Sequence, residues 1–184
     1  ILFARLQIGQ YLPDWHPWED YRRGYSARRE LGGGVVLTQQ HEIDYAYWFF
    51  GKFKSIKAHV KKVSDMEIDV EDIASIIIET ENGSLVEIQL DYLQRPARRS
   101  VQIQGAKGSL DYRIGDRYLR FYDFEKQSEE TVLDTDGYDN NEMYMDEMRY
   151  FIGCVSGEIN TRSGIMDGIY VLNACLEIKN GSKA

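Results

Sequence analysis

The sequence predicts an α+β fold: a large, predominantly antiparallel open sheet with helices on one face. Two observations predict it. From about residue 54 to 134, short stretches rich in alternating apolar residues follow one another across tight turns, with no helical pattern between them. Before and after this block lie segments of helical period, at about 36–50 and beyond Asp139. Strands joined by short turns pair antiparallel. Helices with an apolar stripe need a surface to bury, and a sheet face supplies it. The 184 residues are read as one domain, 1–184, and 43% hydrophobic content supports a core rather than a disordered chain.

The first region runs to Gly51. Residues 4–11 alternate and read as a strand that ends before Pro13. Residues 14–25 are dense in rings and charge and read as a long functional loop with one helical turn. Leu31-Gly32-Gly33-Gly34 then leads into the 36–50 helix, which Gly51 terminates. Strands are expected at 55–63, 72–80, 84–92, 99–104, 109–112, 118–123 and 131–134. Glu81-Asn82-Gly83 sits between two of them as a hairpin turn. Asp139-Asn140-Asn141-Glu142 has the pattern of a capping box. The helix it opens carries an apolar stripe of Tyr144, Met148, Phe151, Ile152 and Val155. A second helix carries Ile165, Ile169, Leu172 and Leu176 and ends near Asn180-Gly181. Residues of both parities are apolar in the run 73–78, which predicts burial on both sheet faces and a homo-oligomer formed through the sheet.

Composition narrows the function. A net charge of −8 argues against affinity for nucleic acid or anionic membranes, and no apolar run reaches the roughly 20 residues of a membrane span. Two cysteines without a CxxC pair suit a reducing cytoplasm. His16 and His59 have no Cys or His partner at metal spacing, so no metal site is expected. The alternating acids at 65–72 fail the EF-hand template, with Val70 where Gly is needed, and read as a solvated approach to a strand.

His41 is the most informative side chain. Asp44, Tyr45 and Trp48 share its helix face at i+3, i+4 and i+7. An imidazole near a carboxylate is suited to general acid/base work; the alternative is a histidine held at a packed face. Tyr11, Trp15, His16, Trp18, Tyr21 and Arg22 form a mixture that fits a sugar or nucleotide, or else a loop pinned to the core by its tryptophans. The three glycines either admit a ligand or its anion to the backbone, or simply form a flexible turn. Arg95, Arg98 and Arg99 form a basic cluster that reads either as a phosphate contact or as a solvated strand edge.

Taken in order, these segments resemble a known family. Leu31-Gly32-Gly33-Gly34, then His41-Glu42-Ile43-Asp44, then Trp48-Phe49-Phe50-Gly51 resemble the glycine-rich, His-x-x-Asp and Trp-containing signatures of the Gfo/Idh/MocA oxidoreductases. Val70-Glu71-Asp72-Ile73-Ala74, Glu81-Asn82-Gly83 and Gly105-Ala106-Lys107-Gly108 resemble that family's sheet motifs in the same order. Residues 9–18 resemble its branch linked to surface polysaccharides and nucleotide sugars.

The resemblance implies the substrate-binding and oligomerisation domain of a longer NAD- or NADP-dependent sugar or nucleotide-sugar oxidoreductase. It implies His41 as the acid/base, with Thr38, Asp44 and the 11–22 loop residues at the substrate. Many members have an Asp where this chain has Thr38. The family's N-terminal Rossmann domain, with its GxGxxG loop and Glu-Lys-Pro motif, is not represented in these residues. The start at Ile1-Leu2-Phe3 is read as a cut from a longer protein. The fragment alone is therefore expected to bind no cofactor and to be inactive. The alternative is a non-catalytic sugar-binding or assembly module with the same fold.

Overall fold

The computed structural model describes residues 1–181. The chain runs as strand β1 (Phe3–Gly9), a series of short 3-10 turns, helices α1 (Val35–Thr38) and α2 (His41–Phe50), then strands β2 (Phe53–Lys61), β3 (Ile73–Thr80), β4 (Leu85–Asp91), β5 (Arg98–Gln104), β6 (Gly108–Arg113), β7 (Tyr118–Asp123) and β8 (Ser128–Asp134), and ends in helices α3 (Asn140–Ser156) and α4 (Ile165–Gly181). The eight strands form one sheet in the order β2-β3-β4-β1-β5-β6-β7-β8. Every neighbouring pair is antiparallel except β1 with β4. The parallel pair arises because residues 10–52 carry the chain from β1 across to the edge strand β2 before the meander returns.

The predicted α+β sheet is observed, and its period-2 pattern decides the core. Ala4 and Leu6 of β1, Ala74, Ile76 and Ile78 of β3, and Val86, Ile88 and Leu90 of β4 are buried. Val35 and Val36 of α1, Ile43, Ala46 and Phe50 of α2, and Val171, Ala174, Cys175 and Ile178 of α4 are buried with them in the same core. The hairpin at Glu81-Asn82-Gly83 forms as expected. Gly83 takes φ +82°, and the Asn82 amide donates back to the Phe50 carbonyl at 3.3 Å.

Several expectations are corrected. The 36–50 helix is two helices. Gln39 leaves helical geometry (φ −109°, ψ 35°) with its side chain buried beside the Asp91 carbonyl, and α2 restarts at His41. Within the chain the run 73–78 is buried on one parity; Ile77, on the parity expected to meet a second copy, is 48% exposed, with none of the described residues covering that sheet face. The stripe read on the last helix is the outer one. Ile165, Ile169, Leu172 and Leu176 are exposed, while the smaller Ala174 and Cys175, with Val171 and Ile178, face the core. The α3 stripe (Tyr144, Met148, Phe151, Ile152, Val155) is exposed too. Its cap forms only in part: the Asp139 carboxylate accepts from the Asn141 N–H at 2.9 Å.

The acid-rich approach to β3 is not simply solvated. Asp72 is fully buried and accepts from the Val63 and Ser64 N–H groups at 2.8 and 2.9 Å, and from the Ser64 hydroxyl. It ties the end of β2 to the start of β3. Among the described residues, no helix is long and apolar enough to cross a membrane.

Candidate functional site

The break at Gln39 places His41 in the first turn of α2, where the chain turns out of the core. The imidazole is exposed and makes no hydrogen bond or ion pair with any described residue. Asp44 is exposed one turn on, without a hydrogen bond to His41, and Trp48 is 73% exposed on the same face. The predicted shared face therefore exists, but the carboxylate does not hold the ring.

Beneath this face lies a cluster the sequence reading did not identify. Glu42 has no exposed surface, and its Oε1 accepts from Arg99 Nε at 2.6 Å and from the Tyr45 hydroxyl at 2.7 Å. Glu42 Oε2 is buried without a partner among the described residues. Burial, and then the Glu42 carboxylate, push the Tyr45 phenol well above its usual range, so it stays a donor. A carboxylate in such a place requires its cation, because an unpaired buried charge costs several kcal/mol. The sequence held one signal: Glu42 falls among the buried positions Ile43, Ala46 and Phe50 of α2. Its partner is 57 residues away and follows only from the β1–β5 pairing.

The basic cluster is divided between two tasks. Arg99 locks α2 to β5 through Glu42, while Arg95 grips Asp14 with two hydrogen bonds of 2.7 Å and lies 3.7 Å over the Tyr11 ring. Arg98 is exposed. Beside Arg99, between α2 and the strands β5, β6 and β8, is an open concavity of about 1010 Å³ lined by Tyr45, Trp48, Phe49, Tyr112 and Tyr138, among others. His41 is not among its lining residues.

The ring-rich loop is also divided. The Trp15 ring packs edge-on against Tyr92 at 5.4 Å and donates to the Gln10 carbonyl, so it anchors the loop to the core. The Tyr21 hydroxyl accepts from the Glu67 N–H at 3.2 Å. The Arg22 guanidinium is taken up by Asp20 (2.8 and 2.9 Å) and Glu67 (2.9 Å). His16 and Trp18 stay exposed, ring against ring at 5.4 Å. Thr38 Oγ1 is buried close to the Tyr92 hydroxyl, outside full hydrogen-bond geometry.

The glycine run is packed rather than open. The N–H groups of Gly33, Gly34 and Val35 donate to the carbonyls of Arg28, Ser26 and Glu71, so none is left for an anion. A Cβ on Gly33 would meet the Tyr25 carbonyl oxygen at 2.2 Å. One on Gly34, at φ +107°, would meet the Glu71 carboxylate at 2.2 Å. Lys179 of α4 completes the knot, donating to the Gly33 carbonyl at 2.8 Å and pairing with Glu71 at 3.1 Å. The glycines admit the protein's own backbone and carboxylate, which is what the close packing of α1, α4 and β3 requires.

Residues 1–111 match the family profile described as the GFO/IDH/MocA C-terminal domain. The chain belongs to the GFO/IDH/MocA family. Comparison with curated proteins finds no match. Among solved structures, levoglucosan dehydrogenase in complex with NADH superposes with a TM-score of 0.84 at 16% identity, covering 99% of this chain and 56% of that one. UDP-N-acetylglucosamine 3-dehydrogenase GnnA from Acidithiobacillus ferrooxidans gives 0.74 at 13%, covering 97% and 52%. The WlbA dehydrogenase from Bordetella pertussis, in complex with NADH and UDP-GlcNAcA, gives 0.73 at 17%, covering 100% and 52%. The chain spans about half the length of these structures, and at such identities the likeness is one of fold. The GFO/IDH/MocA profile ends at residue 111, within β6, so α3, α4 and the last two strands are matched by the structural comparisons and not by the profile.

Proposed function

We propose that this chain is the substrate-facing domain of a nicotinamide-dependent sugar dehydrogenase, with His41 as its acid/base. The observation that carries the reading is the position of His41 in this family's fold: in the first turn of α2, exposed, with neither ring nitrogen engaged by any described residue. A nicotinamide, NAD or NADP, supplies the hydride acceptor or donor when bound by an N-terminal Rossmann domain of the parent protein. His41 takes the proton of a sugar hydroxyl through an imidazole nitrogen as the C–H hydrogen leaves as hydride, and returns it in the reverse direction. Glu42 cannot serve in its place, because its oxygens are buried and one is engaged by Arg99 and Tyr45. His16, Trp18 and Asp44 are sequence-predicted residues left exposed to meet substrate, whereas the exposed Arg22 is held by Asp20 and Glu67. Tyr11, Trp15, Tyr21, Arg22 and Thr38 act by shaping the loop and helix around them.

The uncovered apolar stripes of α3 and α4 support a second domain, and the open sheet face carrying Ile77 and Leu85 supports a second copy. The chain by itself carries no dinucleotide loop and is expected to be inactive.

The test is steady-state oxidation of sugars and nucleotide sugars by the full-length parent and its His41→Ala variant. The loss expected is about 10²–10⁴-fold in kcat with KM little changed. Unchanged turnover removes His41 from the reaction. Sugar binding with no turnover in the wild type favours the non-catalytic module. The observation on its side is that His41 has no carboxylate partner among the described residues and that Thr38 cannot ionise.

A further inference from the structure

The concavity between α2 and β5–β6 begins about one helical turn, roughly 6 Å of rise, from His41. It is larger than the reacting hydroxyl alone needs, and its lining has a definite chemistry. Five aromatic rings (Tyr45, Trp48, Phe49, Tyr112 and Tyr138) contribute to its wall. Trp48 and Phe49 stack on each other at 4.9 Å and are both exposed, which leaves broad ring surface facing solvent. Such surface suits the C–H face of a sugar ring.

The charges lining it are already matched. Arg117 is closed on Asp134 at 2.9 and 3.0 Å and on Asp136 at 3.0 Å. Arg99 is paired with the buried Glu42, and Asp116 adds a further carboxylate. Two guanidinium groups thus face three lining carboxylates, with Glu42 behind them. A phosphate or pyrophosphate brought here meets no unneutralised cation and a net negative wall. A hydroxyl-rich ring meets acceptors on Asp134 and Asp136 and the remaining N–H groups of Arg99, whose guanidinium is shared between Glu42, through Nε, and the Tyr45 hydroxyl.

We propose that this concavity is a subsite for an uncharged sugar ring, stacked on Trp48 and hydrogen-bonded by Arg99, so that the substrate is a free sugar or glycoside and not a nucleotide sugar. This rests on the dehydrogenase reading only for the link to His41. Glu42 is a positioning residue here: it holds Arg99 against the wall and does not reach the ligand itself.

The experiment measures binding to the full-length protein by calorimetry and ligand-observed NMR. The probes are D-glucose, D-galactose, D-xylose, myo-inositol and their methyl ethers or glycosides, set against UDP-glucose. The variants are Trp48→Ala, at a side chain 73% exposed and outside the core, and Arg99→Lys, which keeps a cation beside Glu42 but loses the planar fork. At least one neutral probe is expected to bind more tightly than UDP-glucose. Trp48→Ala is expected to weaken it about tenfold, with Arg99→Lys acting in the same direction. Tighter binding of UDP-glucose through Arg99, no binding by any neutral probe, or neutral binding indifferent to both variants overturns the subsite. Turnover of a neutral sugar that survives Trp48→Ala and Arg99→Lys with unchanged KM also overturns it, while leaving the dehydrogenase reading intact. Neutral binding lost in both variants but never accompanied by turnover does the reverse.

Discussion

At the scale of single residues, the glycine run and the Glu42 cluster show how much of a site is decided by space and by charge. Gly33 is needed because a carbonyl occupies the position its Cβ would take; Gly32, one residue earlier, takes φ +81° with open space around it. Gly33→Ala is therefore expected to cost about 3 kcal/mol or more by overpacking against rigid backbone, and Gly32→Ala about 1 kcal/mol through backbone strain. Thermal melts should separate them by several degrees, at about 2–4 °C per kcal/mol for a chain of this size. A Gly32→Ala protein melting at or below Gly33→Ala would refute the packing argument. The glycines were visible in the sequence, but what they approach was not: Tyr25 is brought back by turns, and Glu71 comes from the far side of two helices. His41 was legible as a motif residue, whereas the Glu42–Arg99 pair was not, because local pattern carries no information about which strand lies beside β1.

At the scale of elements, strand boundaries and turns were legible because a period of 2 between Gly- and Asn-marked turns has few rivals. The last helix was misread for a physical reason. It is apolar on two faces, and the larger side chains drew the stripe to Ile165, Ile169, Leu172 and Leu176. The buried face is the one with small residues, where Ala174 and Cys175 allow α4 to approach β2 and α2 closely. Burial, and then the nearby Asp44 carboxylate, push the Cys175 thiol up to about 12. Iodoacetamide at pH 8 should label Cys154, which is only half-buried, and spare Cys175 until the chain is unfolded. Equal labelling of both in the native protein, read by mass spectrometry, would mean that α4 leaves the sheet readily.

At the scale of the whole molecule, surface carboxylates and the sheet set two further expectations. Hydrogen bonds from Arg95 to Asp14, from Arg117 to Asp134, and from the Gly164 N–H and then the Tyr47 hydroxyl to Asp167 hold these acids below their usual 3.8. Folded values below unfolded ones stabilise the protein above the usual carboxylate range, and that contribution is lost as pH falls through the folded values. Melting temperature should accordingly drop on going from pH 6 to pH 3; a flat profile would contradict these pairings. The uncovered sheet face, with Ile77 and Leu85 set among Arg5, Glu87, Ser75 and Gln89, is expected to meet a second copy. Sedimentation at micromolar concentration should show a dimer or larger, shifted toward monomer by Ile77→Glu; a strictly monomeric wild type would rule this out. The architecture followed from the order of strands and helices, but the place of β1 could not, since parallel pairing with β4 leaves no turn to read. That place has a consequence of its own. The first strand is the seam of the molecule, joined by seven residue pairs to β4 on one side and seven to β5 on the other. Without it the sheet would part into a three-stranded and a four-stranded fragment, each with a raw edge, so the chain's amino-terminal few residues stitch together two halves that its later residues build separately.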